Sequence, residues 1–224
     1  MNFLRRNIII VIFCFAFYGV QVWGQKDFFH DISFQTNLLH NEKITVLSES
    51  NWMHNYSESR WHRLGFNVEV LRKLENWTFL GGLVNNYTFD EQIDNFYELR
   101  PWLGIALQTP ITDKLFLKQR LRIENRNIFY GDKIKYQSIL RTRFDVALEY
   151  NFPKSKVRTD IEWFIRKDPA LSDRYNSRRS YRLQYSYFGF KKMIFSIGYK
   201  YQRFNRKYNP EANDGHTIEI IAKI

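Results

Sequence analysis

The sequence predicts an all-β protein: an antiparallel up-and-down transmembrane β-barrel of 10–12 strands. Three observations carry that expectation. Apolar and polar residues alternate with period two along most of the chain after residue 25. Charged residues fall on one parity of those segments. Short and long polar connections take turns between them. The 224 residues carry 34 Lys and Arg against 23 Asp and Glu, a formal net charge of +11. Aromatic residues make up 18% of the chain, far too many for a disordered or collagen-like one. A mean hydropathy of −0.48 beside 44% apolar content fits residues that are finely interleaved. The single cysteine, Cys14, excludes a disulfide framework, a multi-cysteine metal cluster and, beyond the first 24 residues, thiol catalysis.

The N-terminus reads as an address. Arg5 and Arg6 precede an apolar run over 8–20, and Val22 and Gly24 give the small-residue spacing a signal peptidase reads before Gln25. The run is too short to span a bilayer as a helix, which needs ~20 residues. Cys14 follows Phe13 inside that run, which argues against a lipoprotein. The expectation is a signal peptide, residues 1–24, cleaved near Gly24, and a barrel domain, residues 25–224, in the bacterial outer membrane.

Eleven segments follow in order. Ile32, Phe34 and Leu38 alternate with Asp31, Ser33, Gln35 and Asn37, and a second segment covers 44–52. Leu64, Phe66, Val68 and Val70 oppose Arg63, Gly65, Asn67 and Glu69. The longest apolar run, 77–84, opens a fourth segment to 86, where Gly81 and Gly82 are read as easing curvature. Leu99, Pro101, Leu103, Ile105 and Leu107 oppose Glu98, Arg100, Trp102, Gly104 and Ala106. Leu115, Leu117, Leu121 and Ile123 oppose Lys118, Arg120, Arg122, Glu124 and Arg126. On a helix these apolar residues would point to every side; on a strand they form one face. Leu140, Phe144, Val146 and Leu148 then oppose Arg141, Arg143, Asp145 and Glu149. Val157, Ile161, Trp163 and Ile165 oppose Arg158, Asp160, Glu162 and Arg166. Tyr181, Leu183, Tyr185 and Tyr187 oppose Arg182, Gln184 and Ser186. Met193, Phe195, Ile197, Tyr199 and Tyr201 oppose Ser196, Gly198, Lys200 and Gln202, and a last segment covers 216–224.

Short connections fall at 39–43, 72–76, 109–114, 151–156 and 188–192, and longer ones at 53–60, 86–95, 127–133, 167–174 and 205–215. Segments of roughly 10 to 16 residues, long beside the ~5–6 of soluble sheets, with short turns at one end and long loops at the other, signal a membrane barrel. Bacterial single-chain barrels have even strand numbers, so the eleven segments lead to an expectation of 10 or 12, with 12 preferred. Pro101 within a strand predicts a bulge or bend.

The parity opposite the apolar residues collects Arg63, Arg100, Lys118, Arg120, Arg122, Arg126, Arg141, Arg143, Arg158, Arg166, Arg178, Arg182 and Lys200, 13 cations. It also collects Glu49, Glu69, Glu98, Glu124, Asp145, Glu149, Asp160 and Glu162, eight acids. In a membrane barrel this face lines the interior, because an arginine on the lipid face near the midplane costs roughly 2–4 kcal/mol. Trp52, Trp61, Trp77, Trp102 and Trp163 suit interfacial belts.

The runs Glu-Leu-Arg-Pro-Trp at 98–102, Arg-Leu-Arg-Ile-Glu-Asn-Arg at 120–126 and Leu-Arg-Thr-Arg-Phe at 140–144 resemble the bacterial domain-of-unknown-function family 2490 over most of 27–224. The resemblance implies an exported outer-membrane barrel and brings no activity with it. The last residue is Ile224, where outer-membrane barrels more often end in an aromatic residue.

The candidate site is a charge network in the lumen: Glu98, Arg100, Arg120, Arg122, Glu124, Arg126, Arg141, Arg143 and Asp145. Neighbouring strands lie ~4.8 Å apart, so these groups can interlock as a salt-bridged plug. The excess of cations offers the functional alternative of a narrow, anion-preferring passage or a site for an acidic ligand. A wide porin is disfavoured. Five histidines are present, His30, His40, His54, His62 and His216, none in a His-x-Ser pattern of the kind that would set a histidine beside an activated serine. His54, Glu58 and His62 cluster on one loop, as a metal or acid–base site would require, though such residues are usually solvated. No catalytic, metal or cofactor site is assigned. Export and one-parity charge argue against nucleic acid as the partner of the basic aromatic chain. The expected partners are outer-membrane lipid, anionic lipopolysaccharide among it, and the barrel-assembly machinery; the oligomeric state is left open. A structural, adhesive or narrow-pore barrel is the leading reading. An outer-membrane enzyme acting on lipid or peptide at the loop mouth, and a soluble barrel binding an acidic ligand, are the alternatives.

Overall fold

A computed structural model describes residues 27–58, 60–131, 136–166, 175, 177–190, 193–204 and 214–224. The expected signal peptide lies outside these residues. The chain forms β1 (Asp27–His40), β2 (Ile44–Asn55), β3 (His62–Leu74), β4 (Trp77–Phe89), β5 (Phe96–Pro110), β6 (Leu115–Tyr130), β7 (Tyr136–Phe152), β8 (Ser155–Arg166), β9 (Ser177–Phe190), β10 (Met193–Phe204) and β11 (Gly215–Lys223). Each strand pairs antiparallel with the next, and β11 returns to β1, so the sheet closes into a barrel. Every segment expected from the alternation is a strand.

The even strand number is corrected. Among the described residues there are eleven strands, and an odd count forces the first and last to run the same way. β1 and β11 pair in parallel over nine rungs, from Asp27↔Gly215 to Gln35↔Lys223. The seam runs on past β11: the Ile224 amide donates to Gln35 O (2.9 Å) and the Asn37 amide to Ile224 O (3.0 Å). Parallel ladders are slightly weaker per residue than antiparallel ones, but closure leaves no strand edge unpaired.

Alternation sorts the side chains. Leu103 and Leu140 on the outside are 73% and 60% exposed, whereas Glu98 and Arg126 on the inside are 0% and 1% exposed. Two expected belt tryptophans belong to the interior. Trp102 shares the parity of Glu98 and Arg100, and Trp61 enters from the β2–β3 connection; both are buried. Trp52 and Trp77 are exposed, and Trp163 stacks on Phe144 with ring centroids 5.8 Å apart. Gly82 does more than ease curvature: a Cβ there would stand 2.8 Å from Trp102 Nε1 and 2.5 Å from Val68 O. Its missing side chain is the space the indole occupies.

Pro101 makes no bulge. The β5–β6 register is the same at Leu99↔Asn127 and at Trp102↔Glu124, and only the two rungs between are missing from the ladder. The proline ring has no N–H to give, so the sheet loses local bonds and keeps its register. Register shifts occur instead at Asn37/Leu39, Met193/Phe195 and Arg203/Phe204.

The parallel seam is testable with cysteines at the outward pair Ile32↔Ile220. In a Cys14→Ser background, Ile32→Cys with Ile220→Cys is expected to form a disulfide on oxidation, because neighbouring strands lie ~4.8 Å apart. A further strand between them would separate the pair to about 10 Å and prevent the cross-link.

Candidate functional site

The inward residues of β5 to β8 build the site. On β6 they are Arg120, Arg122, Glu124 and Arg126. Register places Arg120 beside Asp145, Arg122 beside Arg143 and Glu124 beside Arg141 of β7. Asp145 lies beside Glu162 of β8. Like charges directly opposed would repel, so Arg143 reaches diagonally to Glu162, while Glu124 meets Arg141 on its own rung.

Glu98 receives Arg100 Nη2 at 2.8 Å and its Nε at 3.0 Å, and also Arg126, which donates through both Nε and Nη2. Glu124 receives Arg141 Nε, with Arg122 Nη2 at 3.0 Å and Arg143 Nη1 at 3.5 Å. Arg143 also clasps Glu162 through two bonds of 2.7 and 2.8 Å, and Arg120 lies 3.6 Å from the same carboxylate. Asp145 and Asp160 share Arg158, at 3.0 and 3.1 Å. All nine residues expected from the sequence face inward, and their contacts form three groups: Glu98 with Arg100 and Arg126; Glu124 with Arg122, Arg141, Arg143 and, through Glu162, Arg120; and Asp145 with Arg158 rather than with its rung neighbour Arg120.

Ring faces hold the guanidiniums flat. Arg122 lies 3.9 Å from the Trp102 ring centroid, and Arg141 and Arg143 lie 5.0 and 4.9 Å from that of Phe164. Cation–π contacts of this kind contribute most where water is excluded.

Other interior charges escaped the sequence reading. Glu219 takes Lys200 at 2.7 Å and Arg182 at 3.0 Å; it shares the inward parity of β11 with Thr217 and Lys223, and Ile221, between Glu219 and Lys223, blurs the alternation. Lys156, next to a turn, joins Lys118 on Glu149 at 3.2 and 2.8 Å. Asp31, on the polar parity of β1, belongs with the eight inward acids. Arg178, counted as inward, is exposed at the register shift opposite Phe204, and the side chain of Arg166 lies outside the described residues.

Above the network, at the long-loop end, apolar groups close in. Phe29, Trp61 and Phe204 pack with Met53 and Tyr175, and Phe96, Ile128 and Ile139 pack with Ile93 and Tyr130. The Arg63 guanidinium lies between these clusters, 5.3 Å from the Trp61 ring and 6.0 Å from that of Phe96. A cavity of about 290 Å³ remains, at the lower edge of the ~300–1,000 Å³ of ligand pockets. One side is lined by Arg122, Arg126, Arg141 and Arg143, the other by Asp31, Glu49, Asn51 and Asn67. Arg122 is buried and its Nε makes no hydrogen bond. Among the described residues no cation lies within 4.0 Å of Asp31 or Glu49. Glu49 accepts from Gln35 (2.5 Å) and Asn67 (3.3 Å), and Asp31 from Asn51 (3.4 Å).

The loop candidates do not converge. His54 and His62 face one another in register on the outer face. Each places Nδ1 3.0 Å from a backbone carbonyl, that of Trp61 for His54 and of Arg60 for His62. Glu58 instead accepts the Tyr175 hydroxyl at 2.9 Å.

No family model and no curated protein matches the chain. Among solved structures it is similar to the NanC porin in a rhombohedral crystal form, with a TM-score of 0.51 and 12% identity, over 75% of this chain and 78% of that one. The shared feature is the barrel fold.

Glu124→Gln leaves Arg122, Arg141 and Arg143 around an amide that carries no charge. The expected cost is about 3–5 kcal/mol, read from tryptophan fluorescence during urea unfolding in detergent micelles. Arg60→Ala, which removes a 3.4 Å exposed pair with Glu91, is expected to cost under about 1 kcal/mol in the same assay.

Proposed function

We propose that this chain is an integral barrel of the bacterial outer membrane, exported by a signal peptide removed near Gly24, whose largely plugged interior is a narrow passage preferring small anions. The observation that carries the reading is the arginine side of the interior cavity, Arg122, Arg126, Arg141 and Arg143, set within a barrel that is apolar outside. A 13-residue strand such as β3 is about 43 Å long at ~3.3 Å per residue. Tilted by roughly 40°, it crosses an apolar band of ~25 Å with residues to spare. The NanC likeness supports the porin-type fold on which this rests.

Plugging follows from the same contacts. Ion pairs span β5 to β8, and the two apolar clusters crowd the long-loop mouth, so a solute must pass between charged groups. The Arg122 Nε, which makes no hydrogen bond, favours an anion; Asp31 and Glu49 on the other side keep the preference moderate. Membership of the family resembled through Glu98, Arg100, Arg122 and Arg141 is part of the proposal, as is delivery by the barrel-assembly machinery. The role is transport or architecture, without covalent chemistry.

In planar bilayers the purified barrel is expected to show small conductance steps and a reversal potential favouring chloride over potassium. Arg122→Gln should lower that preference. No conductance, or a cation preference, contradicts the passage.

A further inference from the structure

On the outer face of the barrel, Arg179 of β9 stands directly opposite Arg203 of β10. Both lie on the outward parity, with inward Ser180 and Gln202 on the rung between them and the next outward pair. Like charges directly opposed across a sheet repel, and inside this barrel arginines meet carboxylates. Here none does: among the described residues no carboxylate lies within 4.0 Å of either guanidinium. Arg179 Nη1 donates to the Tyr181 hydroxyl at 3.1 Å. Asp214 accepts the Tyr201 hydroxyl at 2.6 Å.

The face is ordered along the strands. The next outward rung toward the short-turn end is Tyr181 with Tyr201, ring centroids 6.1 Å apart and stacked. Below it come Leu183 (53% exposed) with Tyr199, then Tyr185 with Ile197 and Tyr187 with Phe195. Cation, tyrosine, then apolar surface matches level by level what a lipid presents: phosphate, interfacial region, acyl chain. Guanidinium forks match phosphate oxygens two by two.

We infer that the Arg179–Arg203 rung binds the phosphate of an anionic membrane lipid, whose chain lies along Leu183 and Ile197. This site rests on the outer-membrane reading above, and its occupant supplies a counter-charge that no described carboxylate provides within 4.0 Å.

The test compares the wild type with Arg179→Gln/Arg203→Gln in uncharged detergent micelles, with phosphatidylglycerol added in steps. Phosphatidylglycerol is expected to raise the unfolding temperature of the wild type. The variant should need about fivefold more lipid for each arginine removed. Without lipid the variant should be at least as stable as the wild type, since a repulsion has gone. Equal lipid responses in the two proteins overturn the site. So does inorganic phosphate that stabilises the wild type as well as the lipid does, because that marks a free-anion site. A wild type that folds only as a soluble protein sinks the outer-membrane reading instead, and the unfolding baseline in micelles separates the two failures.

Discussion

Closing a sheet around charged side chains leaves most interior carboxylates dependent on cations from other rungs or strands, and much of this structure follows from meeting that demand. Five buried glutamates, Glu98, Glu124, Glu149, Glu162 and Glu219, each touch at least two cations, and Asp145 and Asp160 share Arg158. A pair of charges removed from water recovers the cost of desolvation only with good geometry and further hydrogen bonds. Forked contacts, such as those of Arg143 with Glu162, supply that geometry. Trp102 and Phe164 add ring faces where polar partners run out, and Gly82 provides the room for Trp102.

The odd strand number has consequences beyond the seam. β1 begins beside the long connections and β11 ends beside the short turns, so the two strands run in parallel and the barrel closes through them. Closure sets Asp31 of β1 beside Glu219 of β11. Glu219 takes both nearby cations, Arg182 and Lys200, and Asp31 is left to amide and hydroxyl partners. The acid and amide side of the cavity therefore lies near the seam, across from the arginine side on β6 and β7.

Most of the fold was legible because one period and one charge segregation governed all the strands. The interiors of β5, β6 and β7 were legible residue by residue, since Glu98, Arg122 and Asp145 each sit between outward apolar neighbours. The losses have separate physical causes. On β11 the apolar Ile221 stands on the inward parity between Glu219 and Lys223, and this break in the alternation hid Glu219. A register shift exposes Arg178, and parity counting cannot see a shift. Trp102 was assigned by residue type rather than by its own parity. Trp61 follows β2 in a connection, where alternation says nothing. The strand count was overruled by a rule about even numbers that the eleven segments themselves did not support. Pairing among the charges, Arg158 serving Asp145 and Asp160, depends on side-chain reach and was beyond any pattern of spacing.

The most direct check is the gel mobility of protein from carbonate-washed outer membranes, unboiled against boiled. A closed barrel locked by an interior ion-pair network should stay folded in detergent and run faster before boiling than after. Protein that washes off with carbonate, or that runs alike in both lanes, would contradict a closed barrel in the outer membrane.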